Sequence, residues 1–350
     1  MSRQLTWRLG PLSRRVDLVT LMRLALALLA TLLLVMLSLS LGKVVLSPLE
    51  VVQILLDRQG SLQGSLQGKG LPFIVEQLRL PRTLMALQVG AALGLSGLIL
   101  QAMVRNPLAS PDLLGISSGA GAAAVCYLAF FSLSLGPRYL PLAAMAGAGL
   151  AALAVYLLAW KQGATPLRLV LVGVGVSALL TAATTFLLVF SPLMTTLSAY
   201  VWLTGSVFGA TWDDTLTLAG WLLALLPALV WLARQVVVQQ LDDSLAQGIG
   251  VRVQWLRASL LLLSVALAGA AIAWGGAIAF VGLIAPHIAR KLVPPGFGGQ
   301  AVMTALTGGM LVMLADLIGR TAFLPLDLPA GIFVAALGTP FFLFLLIKQR

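Results

Sequence analysis

The chain has 350 residues, 60% of them apolar and only 9% charged, whereas about a quarter of a soluble domain is charged; this composition speaks against a water-soluble globule. Its net charge of +11 does not mark a nucleic-acid partner, because the basic residues punctuate the ends of apolar runs instead of forming one patch. A single cysteine, Cys126, speaks against a disulfide framework or a four-ligand zinc site.

The apolar runs recur at the length a bilayer demands, about 20 residues. Ten spans are predicted, at 24–42, 79–103, 112–131, 139–160, 168–190, 215–237, 255–274, 277–292, 299–319 and 328–347. The expected class is therefore an all-α polytopic membrane protein, with an arm at 1–23 and a single transmembrane domain at 24–347. The first span is too long for a signal core and lacks a small-residue cleavage site after it. With the N-terminus inside, 15 of the 22 basic residues fall on inner segments, which predicts that both termini face the cytoplasm.

The outer segment 43–78 opens with Ser47-Pro48-Leu49-Glu50, a capping box with proline at the first helical position, so a short helix to about Arg58 should follow. The tandem repeat Gly60-Ser61-Leu62-Gln63 and Gly64-Ser65-Leu66-Gln67 then reads as a flexible loop. Gly68-Lys69-Gly70 has neither the hydroxyl residue nor the preceding strand of a phosphate loop. In the second span Gly90, Gly94, Gly97 and Gln101 share one helical face, which predicts a close helix–helix seam with a glutamine on it.

The fifth span carries Ser177, Thr181, Thr184 and Thr185 along one face; such hydroxyls either bond back to their own helix or line a polar route. The inner segment 234–254 contains Asp242 and Asp243, either able to cap a short helix, and Gly248 to end it. A compact knob on the cytoplasmic face is expected there. Asp316 and Arg320 are four apart and can pair, and His287 beside Pro286 reads as structural. The spans otherwise lack the acids and histidines that an ion-coupled carrier uses, and no nucleotide loop is present. A chain without either energy source is expected to draw on another subunit.

Specific strings add to this. Arg79-Leu80-Pro81-Arg82, Gly90-Ala91-Ala92-Leu93-Gly94-Leu95-Ser96-Gly97 and Arg105-Asn106-Pro107-Leu108-Ala109-Ser110-Pro111-Asp112 resemble the signatures of the FecCD-type permeases, the iron-siderophore and cobalamin subunits of ABC importers. So do Gly282-Leu283-Ile284-Ala285-Pro286-His287, Leu328-Pro329-Ala330-Gly331 and Gly338-Thr339-Pro340-Phe341, and the match runs in register over about 75–347. The resemblance implies a type II importer permease of ten helices in a bacterial inner membrane. Its partners would be a second permease subunit, two ATPase subunits and a periplasmic binding protein; no cofactor is implied.

The resemblance also implies roles. Asp242, Asp243, Leu245, Gly248 and Gly250 fall where a coupling helix seats in the ATPase, and Arg79, Arg82 and Arg320 fall on the outer rim where the binding protein docks. For these arginines, interfacial anchoring and the Asp316 pair are the plain alternatives. Asn106 and Leu108 occupy an inner gate turn, and Ser177, Thr181 and Thr184 a pathway helix. Thr165-Pro166-Leu167 departs from the cobalamin permeases, while Trp202-Leu203-Thr204-Gly205-Ser206 is closer to ferric-siderophore members. A ferric siderophore is the expected cargo. The rivals are cobalamin or haem, or, in another class, an ion-coupled secondary transporter.

Overall fold

Lipid offers no partner for a backbone N–H or C=O, so each long apolar run closes into a helix that pairs these groups internally. The computed structural model describes residues 4–9, 12–56, 70–161, 163–239, 243–248 and 250–348. The tandem repeat at 60–67, Lys69 and Asp242 lie outside the described residues.

The chain opens with a feature the helical reading did not include, an antiparallel pair of β1 (Gln4–Leu9) and β2 (Leu12–Asp17). Its sequence alternates, with Leu5, Trp7 and Leu9 separated by Thr6 and Arg8, which is the period of a strand. Helices α1 (Leu18–Ser40) and α2 (Pro48–Leu56) follow. The capping box at α2 forms as expected: the Ser47 amide donates to Glu50 Oε2 at 2.8 Å, and the Glu50 amide donates to Ser47 Oγ at 3.2 Å.

Next, α3 (Leu71–Phe73) runs through a π-helical turn, Ile74–Arg79, into α4 (Leu80–Val104). Then come α5 (Ile116–Phe130), α6 (Ser132–Leu135), α7 (Leu140–Ala159), α8 (Pro166–Phe190), α9 (Leu193–Thr204) and α10 (Trp212–Gln239). The chain ends through α11 (Asp243–Gly248), α12 (Val253–Gly275), α13 (Val281–Leu292), α14 (Phe297–Thr321) and α15 (Ala330–Lys348).

Among the described residues, eight helices are long and apolar enough to cross a membrane. Two more of the ten expected segments are shorter, α5 with 15 residues and α13 with 12. At 1.5 Å per residue, α13 covers only about 18 Å of an apolar layer of about 30 Å. The segment before it, 276–280, is irregular and is held by protein instead of lipid. Gly276 and Ile278 are buried, and Gly276 lies against the Trp202 carbonyl and Gly205. Helix α9 is also absent from the ten predicted spans, since its 12 residues are too few to span.

Helices α4 and α12 are the most enclosed, and the glycine seam forms on α4. Gly90 lies against the Gly308 carbonyl of α14 and Gly97 against the Gly282 carbonyl of α13, so closely that a Cβ at either position would collide with backbone. Gln101 sits one step further along this seam and donates from Nε2 to Gly282 O at 3.1 Å. On the other side of α4, Ser96 and Ser264 of α12 share hydroxyl contacts of 2.7–3.1 Å with no exposed surface.

Candidate functional site

Charged side chains gather at the two ends of α4. Arg82 and Arg105 are 23 residues apart, about 35 Å along a helix, so the two groups mark opposite faces of a bilayer.

At the first face, Arg82 is held by two carboxylates. Its Nε and Nη2 donate to Asp316 Oδ1 at 3.0 and 2.8 Å, and its Nη1 and Nη2 donate to Asp327 Oδ2 and Oδ1, both at 2.8 Å. The guanidinium also lies 5.3 Å from the Phe208 ring centre. Arg320 donates from Nη2 to Ser38 O and Oγ at 2.5 and 2.6 Å and stands 3.5 Å from Asp316 Oδ2, the pairing its spacing allowed. Arg79 donates to the carbonyls of Leu39, Ser40 and Val44, the first two at 2.6 and 3.1 Å. These bonds tie the end of α1 to α4 and α14. Burial alone would raise the Asp327 carboxyl, but the hydrogen bonds from Arg82 outweigh it and hold Asp327 below the usual carboxylate range.

The expectation that Arg79, Arg82 and Arg320 stand on an exposed rim is therefore corrected. They are 6%, 9% and 7% exposed, because internal acceptors claim the guanidinium groups. Among the described residues, Lys43 and Arg138 are exposed cations on segments next to this face.

At the opposite end of α4, α11 is a short helix closed by a glycine turn. The Gly250 amide donates to Gln247 O at 2.9 Å and the Val251 amide to Ala246 O at 3.0 Å, with Gly250 at a φ of 85° that favours glycine. Ala246 is buried while Leu245 and Gly248 are exposed. The Asp243 carboxylate accepts from Arg105 Nη2 at 2.5 Å and from Arg257 Nη2 at 3.0 Å. Burial would raise this carboxyl, and the bonds from Arg257 and then Arg105 outweigh it, so it too is held below its ordinary value.

The turn after α4 begins at Arg105, with a φ of 56°, and continues through Asn106, whose Oδ1 accepts the Leu108 amide at 2.9 Å. Asn106 is exposed and Leu108 half-buried. Along α8 the hydroxyls bond backwards: Thr181 to Ser177 O at 2.8 Å, Thr184 to Leu180 O at 2.8 Å and Thr185 to Thr181 O at 3.0 Å. Thr181 and Thr185 are exposed, Thr184 is buried, and Ser177 reaches across to Asp112 O at 3.4 Å. The stripe is thus split between an open face and an internal contact.

Sequence reasoning missed Asp327 as the second partner of Arg82, and Arg105 and Arg257 as the partners of Asp243. A signal for Arg257 was present, since a cation inside an apolar run must find a counter-charge.

Eight bilayer-length helices, shorter apolar elements between them and a charged group at each end of α4 define a polytopic membrane protein. Residues 29–348 match the FecCD transport family, and the chain belongs to it. It is 68% identical over 350 residues to the achromobactin transport system permease protein CbrC of Dickeya dadantii, covering 100% of this chain and 98% of that one. The ferric enterobactin transport system permease protein FepG of Escherichia coli is 38% identical over 80% of this chain and 84% of its own. A solved metal-chelate type ABC transporter in an inward-facing conformation superposes with a TM-score of 0.79 at 29% identity, covering 94% of this chain and 99% of that one.

Proposed function

We propose that this chain is the membrane-spanning permease subunit of an ATP-driven importer whose cargo is a ferric siderophore. The observation that carries the reading is the 68% identity, end to end, with a permease named for achromobactin transport. Achromobactin loaded with iron is the first cargo to test. The chain performs no covalent chemistry of its own. Two ATPase subunits, a second permease subunit and a binding protein complete the machine, seated in a bacterial inner membrane.

Both termini face the cytoplasm in this reading, supported by the excess of basic residues on the inner segments. Arg23 at the start of α1 donates to Leu292 O at 2.8 Å at the end of α13, so these basic ends share one face. Residues 24–347 act as one transmembrane domain, supported by one buried cluster that joins residues of α4, α5, α7, α10, α12, α14 and α15. The knob of Asp243, Leu245, Gly248 and Gly250 meets the ATPase, with Leu245 as its exposed apolar contact. Asn106 and Leu108 form the inner gate, and the open face of α8 with Thr181 borders the pathway. Alternating access then proceeds by rocking of the paired subunits. Binding-protein docking passes to Lys43 and Arg138, while Arg79, Arg82 and Arg320 shape the surface from beneath.

The test is uptake of radiolabelled iron–achromobactin by iron-starved cells with and without this gene, alongside other siderophores and labelled cobalamin. Loss of achromobactin-borne iron, restored by the gene, is expected. Lost cobalamin uptake with intact iron uptake would overturn the cargo. Uptake that survives without any ATPase but collapses with the ion gradient would overturn the class.

A further inference from the structure

We propose that Arg257 and Arg105, gripping Asp243 between them, form a latch that carries movement of the coupling helix to the inner turns of the permease; this rests on the importer reading above. The Arg257 side chain has no exposed surface, and such a guanidinium must be matched by fixed acceptors. Its Nη2 donates to both Asp243 oxygens at 3.0 Å, and its Nη1 donates to the Ala164 carbonyl in the turn between α7 and α8. One turn earlier on α12, Gln254 Oε1 accepts the Ala164 amide at 3.1 Å. The first two turns of α12 therefore hold both backbone polar groups of Ala164, two residues before α8.

Asp243 Oδ1 is shared with Arg105, the residue that ends α4 and enters the Asn106–Leu108 turn. A displacement of the knob through Leu245 thus moves one carboxylate whose two ties run to two different inner turns. A clamp that served stability alone would have no need to join the knob to both. Arg105 and Arg257 are positioning residues here: neither needs to touch cargo or nucleotide.

The experiment uses the full complex in proteoliposomes, measuring siderophore imported per ATP hydrolysed. Arg105→Gln cuts the tie to the gate turn and leaves Arg257 on Asp243, so the chain should fold and assemble. Loss of one charge-assisted bond lowers the import-to-ATP ratio roughly tenfold while ATP hydrolysis continues. Asp243→Asn added to Arg105→Gln should lower it further, because it also weakens the second tie, the one to Arg257. In a Cys126→Ala background, Arg105→Cys with Asp243→Cys should regain, when bridged by a bifunctional thiol reagent, the part of the ratio that the Arg105 tie carries.

An Arg105→Gln complex with a wild-type ratio overturns the latch, and so does a bridge that restores nothing. A fall in assembly with an unchanged ratio in what assembles also overturns it, since that is the signature of a stability clamp. If the wild-type complex itself shows no ATP-dependent import, the importer reading falls and the latch with it.

Discussion

Replacing Arg82 by Gln removes the cation that Asp316 and Asp327 share, and the two roles open to this residue predict opposite results. Asp327 would lose both 2.8 Å donors, and Asp316 would keep only Arg320 at 3.5 Å. Removing one partner of a buried ion pair costs about 3–5 kcal/mol, because the remaining charge stays buried without compensation. The Asp316 side chain is 3% exposed and cannot rehydrate, whereas Asp327 is 25% exposed and recovers some hydration, so the low end, about 3 kcal/mol, applies. For a chain of this size each kcal/mol moves the melting temperature by roughly 2 °C, giving a fall of about 6 °C. Asp327→Asn, which leaves the Arg82–Asp316 contact in place, should cost only about 1 kcal/mol. The assay is thermal unfolding of the purified, detergent-solubilised chain, run beside binding-protein affinity for the assembled complex. An Arg82→Gln chain that melts within a degree of wild type yet loses binding-protein affinity would refute the buried-tie argument and return Arg82 to the docking surface.

Three further outcomes follow from the same geometry. Gly97→Ala drives a methyl group into the Gly282 carbonyl and breaks the α4–α13 seam; overpacking of this kind costs about 1–3 kcal/mol. Gly149→Ala on α7 meets open space and should melt like wild type, so equal losses at both sites would contradict the seam. The Asp243 carboxyl is depressed, so its contribution is present above the ordinary carboxylate value of about 3.9 and is lost only as pH falls through its lower folded value. The import-to-ATP ratio should therefore be flat from about pH 5 to 8, and a midpoint near pH 6 would show that another group controls the knob. Lys43→Glu with Arg138→Glu should slow binding-protein association about tenfold at low salt while leaving the melting temperature unchanged; an unaltered association rate would remove both from the docking surface.

The parts of this molecule that were legible in the sequence are those governed by one periodicity. Hydrophobic runs of bilayer length fixed the long helices, and glycines four and seven apart on one helical face marked the α4 seam before its partners were known. The Ser47 capping box was equally local, since its two hydrogen bonds join residues three apart. What escaped depends on separations that no local pattern encodes. Arg82 meets Asp327 across 245 residues, and Arg105 meets Asp243 across 138. A basic residue at the end of an apolar run reads as an interface anchor until the fold brings a carboxylate to it. The family resemblance puts the outer arginines on a rim for docking, and only the fold shows internal acceptors claiming them. Helices α9 and α13 were illegible or overlong for a different reason: a segment of 12 residues is held in place by the backbone groups of its neighbours, not by its own match to the bilayer. Arg257 is the instructive middle case. A guanidinium four residues into α12, at the edge of an apolar run, is too costly to stand alone, so the sequence does announce that a partner exists. Only the fold shows that the partner is the knob, and that the same side chain also holds the turn leading into α8.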